Sequence, residues 1–368
     1  MPIILIFTTI FFGIYLYYLL FFKKNLKYKN REDNFQKPKI SVVIAARNEA
    51  NNVGKLLTAL VNQSYPQNLM EIIVANDEST DNTAEIVKKF EQKWQNVKLL
   101  NVTNRANVIS PKKNALSQAI KFANGEIILS TDADCLVGKF WAEAMVKNFS
   151  QNDFVAGFSR INIQKWTTAR WFEKFEYFDF FAMFTAASAA ISGGKAFSCS
   201  GQNIAYRKNA FQKIGGFEKI KHLISGDDVN LMQLFRKANF RIGFAFSHHS
   251  FALTNASKSW IKLLNQRSRW ASNMKWQILL NSEFFIYLLS AFVVVMLPVY
   301  LIFKIWWLAS ILVLGRFILE FNFLKNGFQI FREDKNRLKF YPVWFFLQPL
   351  YMLVVVFLGV LNIFRWKK

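Results

Sequence analysis

Four long apolar runs constrain the fold of this chain more than any other feature. Residues 2–22 contain no charged side chain, and Lys23 and Lys24 follow directly. Such a run is long enough to cross a hydrocarbon core of roughly 30 Å as an α-helix. Three similar runs occupy residues 284–303, 305–324 and 341–364. We therefore expect a membrane protein with one N-terminal span and about three C-terminal spans.

A cleaved signal peptide is the alternative for the first run. It would begin with basic residues and end a shorter apolar run at a small-residue cleavage site, and the sequence has neither feature. Basic residues instead cluster after the run, at Lys23, Lys24, Lys27, Lys29 and Arg31. Because lysine and arginine are retained on the cytoplasmic side, we expect a multi-pass protein of the inner cell membrane whose main body is cytoplasmic.

Charged residues in the C-terminal region add two expectations. Arg316 and Glu320 are four positions apart inside the second run, so they should pair or face a cavity, because a bare charge in lipid is costly. Four spans would place the basic tail, residues 365–368, on the side opposite the body, against the basic-residue preference. One C-terminal segment is therefore a candidate re-entrant or interfacial segment.

The formal net charge of +23 raises the alternative of a nucleic-acid binder. The sequence shows no zinc-finger spacing, RNA-binding signature or basic helix with heptads. Attraction to an anionic leaflet explains the charge better, so we expect membrane lipids, and no nucleic acid, as partners. The two cysteines, Cys135 and Cys199, are too few for a disulfide framework, and we expect both to be packed thiols.

Between the apolar runs, short β-branched segments alternate with helical ones. Strands are predicted at residues 39–46, 71–75, 97–102 and 126–130, and helices at residues 51–62, 82–90 and 114–122. This alternation predicts a Rossmann-like α/β fold with a mainly parallel sheet covered by helices. Ligands of such sheets bind beyond the carboxyl ends of the strands. Residues just after each strand are therefore the candidates for chemistry.

Asp132 and Asp134 follow the predicted strand at 126–130. Two carboxylates at a strand end suit a divalent cation, Mg²⁺ or Mn²⁺, that also binds phosphate oxygens. The Asp-x-Asp spacing alone is more often a solvated turn. We expect Asp134 to hold the metal, whereas Asp132 is a candidate both for the metal and for contact with the ribose.

Two further acidic sites lie near predicted element ends. Asp77 can accept the imide hydrogen of a uracil, and a turn-forming aspartate is the alternative. The hydroxyl and carboxyl groups that follow it, at 79–81, are expected to cap the next helix. Asp227 and Asp228 precede an apolar helix pattern, so one of them is a candidate general base, and a capped helix start is the alternative.

The stretch at 258–280 is amphipathic and is predicted to lie along the membrane surface. Its apolar side carries Trp260, Leu263, Leu264, Trp270 and Met274. Gln266, Arg269 and Trp270 project from one turn, where the arginine can neutralise a leaving diphosphate and the indole can stack on a sugar. A membrane-surface helix without a catalytic role is the alternative.

These ordered motifs resemble the membrane-bound family-2 glycosyltransferases, which include cellulose, hyaluronan and poly-N-acetylglucosamine synthases and ceramide glucosyltransferases. The resemblance covers residues 39 to about 274. The motifs that carry it are the strand end Arg47-Asn48-Glu49, Asn76-Asp77, Lys112-Lys113-Asn114-Ala115-Leu116, Asp132-Ala133-Asp134, Ser200-Gly201-Gln202-Asn203, Gly226-Asp227-Asp228 and Gln266-Arg267-Ser268-Arg269-Trp270. The chain departs from the family pattern where Asn76 replaces an Asp and Asp227 replaces a Glu.

The resemblance implies an A-type nucleotide-diphospho-sugar transferase fold and a role for each matched residue. Glu49 and Asp77 contact the nucleoside and Lys112 the nucleotide. Asp132 and Asp134 hold the metal-bound diphosphate, and Asp228 is the base, with Asp227 as second choice. Gln266, Arg269 and Trp270 flank the acceptor and the diphosphate. His222, His248 and His249 fall outside the motifs and are expected to be structural or surface residues.

We therefore predict a metal-dependent, inverting transferase that moves a sugar from a UDP-sugar to a lipid or a growing polysaccharide at the cytoplasmic membrane face. The expected domains are an anchor at 1–22, a cytoplasmic transferase domain at 38–257, an interface helix at 258–280 and a membrane region at 284–364. Export or accessory subunits are further candidate partners. A catalytically inactive membrane scaffold with a nucleotide-binding fold is the alternative function.

Overall fold

A computed structural model describes residues 2–27, 36–103, 109–273 and 276–364, with side chains from residue 6 onward. Lys29, Arg31, Met274 and the basic tail at 365–368 lie outside the described residues. The chain divides into two compact units. We call Tyr28–Asn162 with Ser198–Asn255 the sheet unit. The helical unit comprises Met1–Lys27, Ile163–Phe197 and Ala256–Lys368.

The strands are β1 (Ile40–Ala46), β2 (Met70–Asn76), β3 (Val97–Asn101), β4 (Ile127–Ser130), β5 (Cys135–Val137), β6 (Phe154–Gly157), β7 (Ser159–Asn162), β8 (Ile204–Arg207), β9 (Ile242–Ala245) and β10 (Ala252–Asn255). The helices are α1 (Pro2–Asn25), α2 (Val53–Val61), α3 (Thr83–Lys93), α4 (Pro111–Phe122), α5 (Trp141–Val146), α6 (Trp171–Ser192), α7 (Lys208–Lys213), α8 (Val229–Lys237), α9 (Trp260–Ala271), α10 (Gln277–Leu280), α11 (Ser282–Leu301), α12 (Trp306–Ile330) and α13 (Tyr341–Val360).

The sheet unit is built on a seven-stranded sheet in the order β3-β2-β1-β4-β8-β6-β9. β1 runs parallel to β2 and β4, and β8 runs antiparallel to β4 and β6. A smaller sheet has the order β5-β10-β7. Both faces of β1 and β2 are buried, which explains why their sequences are continuous apolar runs rather than alternating ones. The predicted strands and helices at 39–130 and the mainly parallel α/β sheet are confirmed.

Register brings the carboxyl ends of the first strands to one edge of this sheet. Ala46 pairs with Asn76, and Asn76 pairs with Asn101, so β1, β2 and β3 end side by side. β4 lies on the other side of β1 and pairs Ser130 with Val43. The segments that leave these four strands therefore start from neighbouring positions.

The helical unit contains four helices long and apolar enough to cross a membrane. They lie at Ile6–Asn25, Ser282–Leu301, Trp306–Ile330 and Lys335–Val360, as the apolar runs predicted. The predicted pair between Arg316 and Glu320 is present, with 2.8 Å from Nε to Oε1. Tyr15 of α1 donates its hydroxyl to the same Glu320 oxygen at 2.5 Å, and Arg316 also donates to Gln348 of α13. One buried polar cluster thus joins α1, α12 and α13.

Two features of the helical unit differ from the sequence-based expectation. The 22-residue helix α6 was not predicted, and it groups with the apolar helices although it lies within the predicted transferase domain at 38–257. Beyond Asp179 its side chains are apolar or small on all sides, as is typical of a helix packed within other helices. The predicted interface helix at 258–280 is not one helix, since α9 ends at Ala271 and α10 begins at Gln277. The predicted domain limits stay a prediction.

Candidate active site

The loops after β1 and β2 are bonded to each other through side chains. Asn48 accepts a hydrogen bond from the Thr80 amide at 2.8 Å, and Thr83 Oγ1 accepts one from the Glu49 amide at 2.8 Å. Asp81 accepts from the Ala50 amide at 3.1 Å. The expectation that residues 79–81 cap helix α3 is confirmed for Asp81, whose Oδ1 accepts from the Thr83 amide at 3.0 Å. It is wrong for Ser79 and Thr80, which bond to Asn48 and help to fix the two strand ends that present Glu49 and Asp77.

Asp77 lies directly after β2 and is 4% exposed. Its amide donates to the Ala46 carbonyl at 2.9 Å, which ties the end of β2 to the end of β1. Burial raises the pKa of Asp77, and the nearby Arg47 partly opposes that shift. Glu49, one loop away, accepts from Asn52 Nδ2 at 2.8 Å. Both residues predicted to contact the nucleoside thus sit at one edge of the sheet.

Lys112 connects two of the predicted acidic sites. Its Nζ lies 2.8 Å from Asp132 Oδ1 and 2.8 Å from Asp227 Oδ2. Burial disfavours the ammonium charge, but the two carboxylates outweigh it and raise the pKa of Lys112 above its ordinary value. Lys112, in the first turn of α4, therefore contacts both the segment that follows β4 and the loop before α8.

Asp227 and Asp228 are adjacent but have different surroundings. The Lys112 charge outweighs burial and lowers the pKa of Asp227. Burial, followed by the charge of Asp227, raises the pKa of Asp228. Asp228 Oδ2 accepts from the Gly201 amide at 2.8 Å, and Oδ1 accepts from the Val229 amide at 2.6 Å. Asp228 therefore caps α8, as the alternative prediction had it, while keeping the raised pKa that suits a base.

The approach of Gly201 to this acidic pair is close. A Cβ added at Gly201 would lie 2.9 Å from Asp227 Oδ2 and 3.3 Å from Lys112 Nζ. The glycine therefore allows the backbone amide to reach Asp228 without displacing the carboxylate beside it. Gly201 belongs to a sequence motif that was recognised without being given a role.

Asp134 is exposed, whereas Asp132 is partly buried under Lys112. Partial desolvation, followed by the charges of Asp132 and Glu49, raises the pKa of Asp134 to about 6. The Cys135 amide donates to the Asp132 carbonyl at 3.0 Å, so the triplet also forms the turn that the alternative prediction described. In the described ranges no three His, Cys, Asp or Glu side chains are placed together to hold a metal ion.

These residues nevertheless fit a cation shared with a diphosphate. After desolvation, the charges of Asp132 and Glu49 contribute to the raised pKa of Asp134, and a divalent cation would offset that repulsion. Magnesium is usually bound by one or two carboxylates together with waters and substrate phosphates, so two aspartates are a sufficient protein contribution.

The acceptor motif predicted on α9 lies in the helical unit. Arg267, between the predicted residues, is 5% exposed and donates from Nε to Asp179 of α6 at 2.8 Å. Its Nη1 donates to Gln266 Oε1 at 3.0 Å, and its guanidinium carbon lies 4.2 Å from the Trp270 ring centroid. Arg267 thus contacts Gln266 and Trp270, two of the three residues predicted to flank the acceptor. The third is Arg269.

Residues 41–215 match the sequence profile described as glycosyl transferase family 2. These residues form a family 2 glycosyltransferase domain. The family, the enzyme class and the A-type fold that the sequence predicted are thereby confirmed for this domain.

The chain is similar to several longer proteins, and the matched regions span between 36% and 60% of their length. It is 29% identical over 265 residues to the probable glycosyltransferase YdaM of Bacillus subtilis, covering 70% of this chain and 60% of that protein. It is 27% identical over 240 residues to the beta-monoglucosyldiacylglycerol synthase of Nostoc sp., covering 64% and 48%. It is 33% identical over 156 residues to the poly-beta-1,6-N-acetyl-D-glucosamine synthase of Staphylococcus epidermidis, covering 40% and 36%.

Among solved structures, the chain resembles a mannosyltransferase from Pyrobaculum calidifontis, solved in complex with GDP-Man and Mn²⁺. The TM-score is 0.64 at 18% sequence identity, and the match covers 98% of this chain and 99% of that one. At this identity the likeness concerns the fold.

The structure therefore brings together, within the sheet unit, acidic sites that the sequence treated separately. Lys112, Asp132 and Asp227 are in direct contact, and Asp228 is adjacent. Both cysteines are buried free thiols, as predicted, and the three histidines, His222, His248 and His249, are exposed. Sequence reasoning missed Lys113, Gly201 and Arg267, although each lies inside a recognised motif. Their adjacency to assigned residues was the available signal.

Proposed function

We propose that the protein transfers a sugar, with inversion, from a UDP-sugar to a lipid or a growing polysaccharide at the cytoplasmic face of the cell membrane. The observation that carries the proposal is the contact of Lys112 with both Asp132 and Asp227, next to a base candidate whose pKa is raised. The Lys112 ammonium, which binds one carboxylate after β4 and one before α8, can exchange part of these contacts for a bond to a diphosphate.

In this mechanism Asp228 takes the proton of the acceptor hydroxyl as that oxygen attacks the anomeric carbon. The bond between this carbon and the diphosphate oxygen breaks on the opposite face, so the configuration inverts and UDP leaves. The two amide hydrogen bonds to Asp228 orient its carboxylate, and its raised pKa strengthens it as a base. Lys112 supplies positive charge to the diphosphate. Gln266, Arg269 and Trp270 stay proposed contacts of the acceptor and the diphosphate.

A divalent cation, Mg²⁺ or Mn²⁺, held by Asp134 and Asp132, would offset the negative charge of the leaving diphosphate. Glu49 and Asp77 are proposed to bind the nucleoside. The buried Asp77 carboxylate suits the imide N–H of uracil, and a carboxylate also accepts from the N1–H and N2–H groups of guanine. Competition between UDP and GDP for the purified protein therefore tests the choice of base.

Four helices able to span a bilayer support a membrane protein, and we propose the multi-pass arrangement with a cytoplasmic transferase domain. The Nostoc relative is named as a synthase of a glycolipid, which supports a lipid acceptor, and the staphylococcal relative is named as a synthase of a polysaccharide. Neither the comparisons nor the described residues support export or accessory subunits.

The test is release of nucleoside diphosphate by the purified, detergent-solubilised protein. UDP- and GDP-sugars are supplied with a lipid extract, with and without Mg²⁺ or Mn²⁺, and products are identified by mass spectrometry. We expect turnover with a UDP-sugar that needs a divalent cation. Absence of turnover with every donor, acceptor and metal would instead favour the inactive scaffold.

Asp228→Asn tests the base. The amide keeps the shape but cannot take a proton, so kcat should fall by about two to four orders of magnitude while the Kd for UDP changes little. Asp153→Asn is the control, because it removes a carboxylate that pairs with Arg207 and Arg241 elsewhere in the same unit. Equal loss of UDP affinity and turnover in Asp228→Asn would defeat this role.

A further inference from the structure

Lys113, beside Lys112 on α4, is a buried charge that the proposed mechanism does not use. It is 2% exposed. Its Nζ donates to three backbone carbonyls, those of Ile220 at 3.0 Å, Leu223 at 2.5 Å and Ser225 at 2.9 Å. An ammonium has three donors, so these carbonyls use its full capacity. Burial lowers the pKa of Lys113 to about 8, so the ammonium form persists at neutral pH.

The three carbonyls belong to the segment that leads to the proposed base. This segment begins at Ile220, the last residue of a 3₁₀ turn at Glu218–Ile220, and α8 begins after it, at Val229. Residues 221–228 lie in neither a helix nor a strand, so regular backbone bonding contributes little to their order. Ser110, just before α4, adds a bond from its hydroxyl to the Ile224 carbonyl at 3.1 Å. Together, Ser110 and Lys113 bind four carbonyls of the segment from 220 to 225.

The far end of the segment is also restrained. Gly226 has a φ of +83°, and a Cβ there would lie 2.2 Å from Asn230 Nδ2. The chain therefore passes through a tight turn directly into Asp227 and Asp228. On the other side, α4 packs against β1 and β2. The first turn of α4 thus links the position of the acidic pair to the central strands of the sheet.

We propose that Lys113 is a positioning residue for Asp228: by gathering the carbonyls of Ile220, Leu223 and Ser225, it holds the 220–228 segment in the place where the base can act. This proposal rests on the proposed function, in which Asp228 is the base. Neighbouring lysines then have different tasks. Lys112 binds side-chain carboxylates and a diphosphate, whereas Lys113 binds only backbone and orders the segment that carries Asp227.

Lys113→Met tests the proposal, because methionine fills a similar volume but donates no hydrogen bond. Since small displacements of a catalytic group cost large factors in rate, we expect kcat to fall at least about tenfold while the Kd for UDP stays within about twofold. Hydrogen–deuterium exchange should accelerate at residues 221–228 and stay unchanged in β1 and β2. A role confined to general stability would instead raise exchange throughout the sheet and weaken UDP binding equally.

Lys208→Met is the matched control. Lys208 is partly buried in the same unit and also donates its ammonium to a backbone carbonyl, that of Ala123. Its replacement should leave kcat and exchange at 221–228 within about twofold of wild type, because its bond does not reach that segment. Equal effects in the two variants would overturn the proposal, as would unchanged kcat and exchange in Lys113→Met.

Two further measurements separate this proposal from its premises. Turnover by the wild-type protein is measured first: its absence refutes the proposed function, whereas turnover that survives intact in Lys113→Met refutes the positioning role. If Lys113→Met does not fold, Ser110→Ala removes only the bond to Ile224. We expect this milder variant to show faster exchange at 221–228 and a smaller fall in kcat, and wild-type values for both would overturn the proposal.

Discussion

Gly201→Ala offers a direct measure of how tightly the acidic site is packed. The added Cβ would lie 2.9 Å from Asp227 Oδ2, whereas ordinary contacts begin at 3.4 Å, so the two groups must separate by 3.4 − 2.9 = 0.5 Å. The Gly201 amide also holds Asp228 Oδ2 at 2.8 Å, so movement of this backbone displaces the base itself. The variant therefore changes geometry without removing any polar group.

The expected magnitude follows from that displacement. A misplacement of about 1 Å can cost about 100-fold in rate, so a shift of half that size should lower kcat about tenfold. Overpacking should also reduce the free energy of unfolding by about 1–3 kcal/mol. The assay is steady-state release of UDP, with Kd for UDP measured by titration calorimetry and unfolding followed by thermal denaturation.

Gly138→Ala is the control, because a Cβ at that glycine meets no atom within 4 Å. It should leave kcat, Kd and the melting temperature near wild-type values. Wild-type kcat in Gly201→Ala would refute the reasoning, since it would mean that the acidic pair tolerates a displacement of half an ångström.

Three other substitutions test the electrostatics of the two units. Asp227→Asn should move the acid limb of the kcat–pH profile to lower pH, because it removes a like charge that raises the pKa of Asp228; an unmoved limb would contradict the assignment. Asp77→Ala should weaken UDP binding by about 1–3 kcal/mol in calorimetry, and unchanged affinity would place the nucleoside elsewhere. Asp179→Ala should lower the free energy of unfolding by about 3–5 kcal/mol, because it removes the carboxylate that bonds directly to the buried Arg267 guanidinium. A smaller loss in Asp179→Ala than in the paired Asp179→Leu, Arg267→Met variant would argue against that cost.

The strand ends could be predicted because the sequence features that mark them are local. Each of β1, β2 and β4 is an apolar segment followed at once by polar residues, and the rule that ligands meet beyond parallel strand ends then groups those residues. The contact of Lys112 with Asp132 and Asp227 could not be predicted from spacing, because it joins segments 20 and 115 positions apart along the chain. Such contacts depend on how β8 and α8 return to the sheet.

Helix α6 could not be predicted from hydropathy. Glu176 and Asp179 interrupt its apolar sequence, so the sequence shows no long uncharged run at this position. In the folded chain Glu176 accepts from the amide and hydroxyl of Ser257, and Asp179 pairs with Arg267. These acids are compatible with burial only because their partners come from a distant part of the sequence. Hydropathy alone cannot represent that compensation.

The cluster around Arg316 has a consequence for biosynthesis. Its members come from the first helix of the chain, through Tyr15, and from the last, through Gln348. Both members of the ion pair, Arg316 and Glu320, lie on α12, and bonds from Tyr15 and to Gln348 complete their hydrogen bonding. A buried polar group without its partner is costly in a bilayer, so α12 is fully satisfied only when both neighbouring helices are present. A nascent chain in which α1 and α12 have been synthesised still lacks the contact with Gln348, because that residue lies on α13. The polar cluster around Arg316 is therefore complete only after α13 has been synthesised and has packed beside α12.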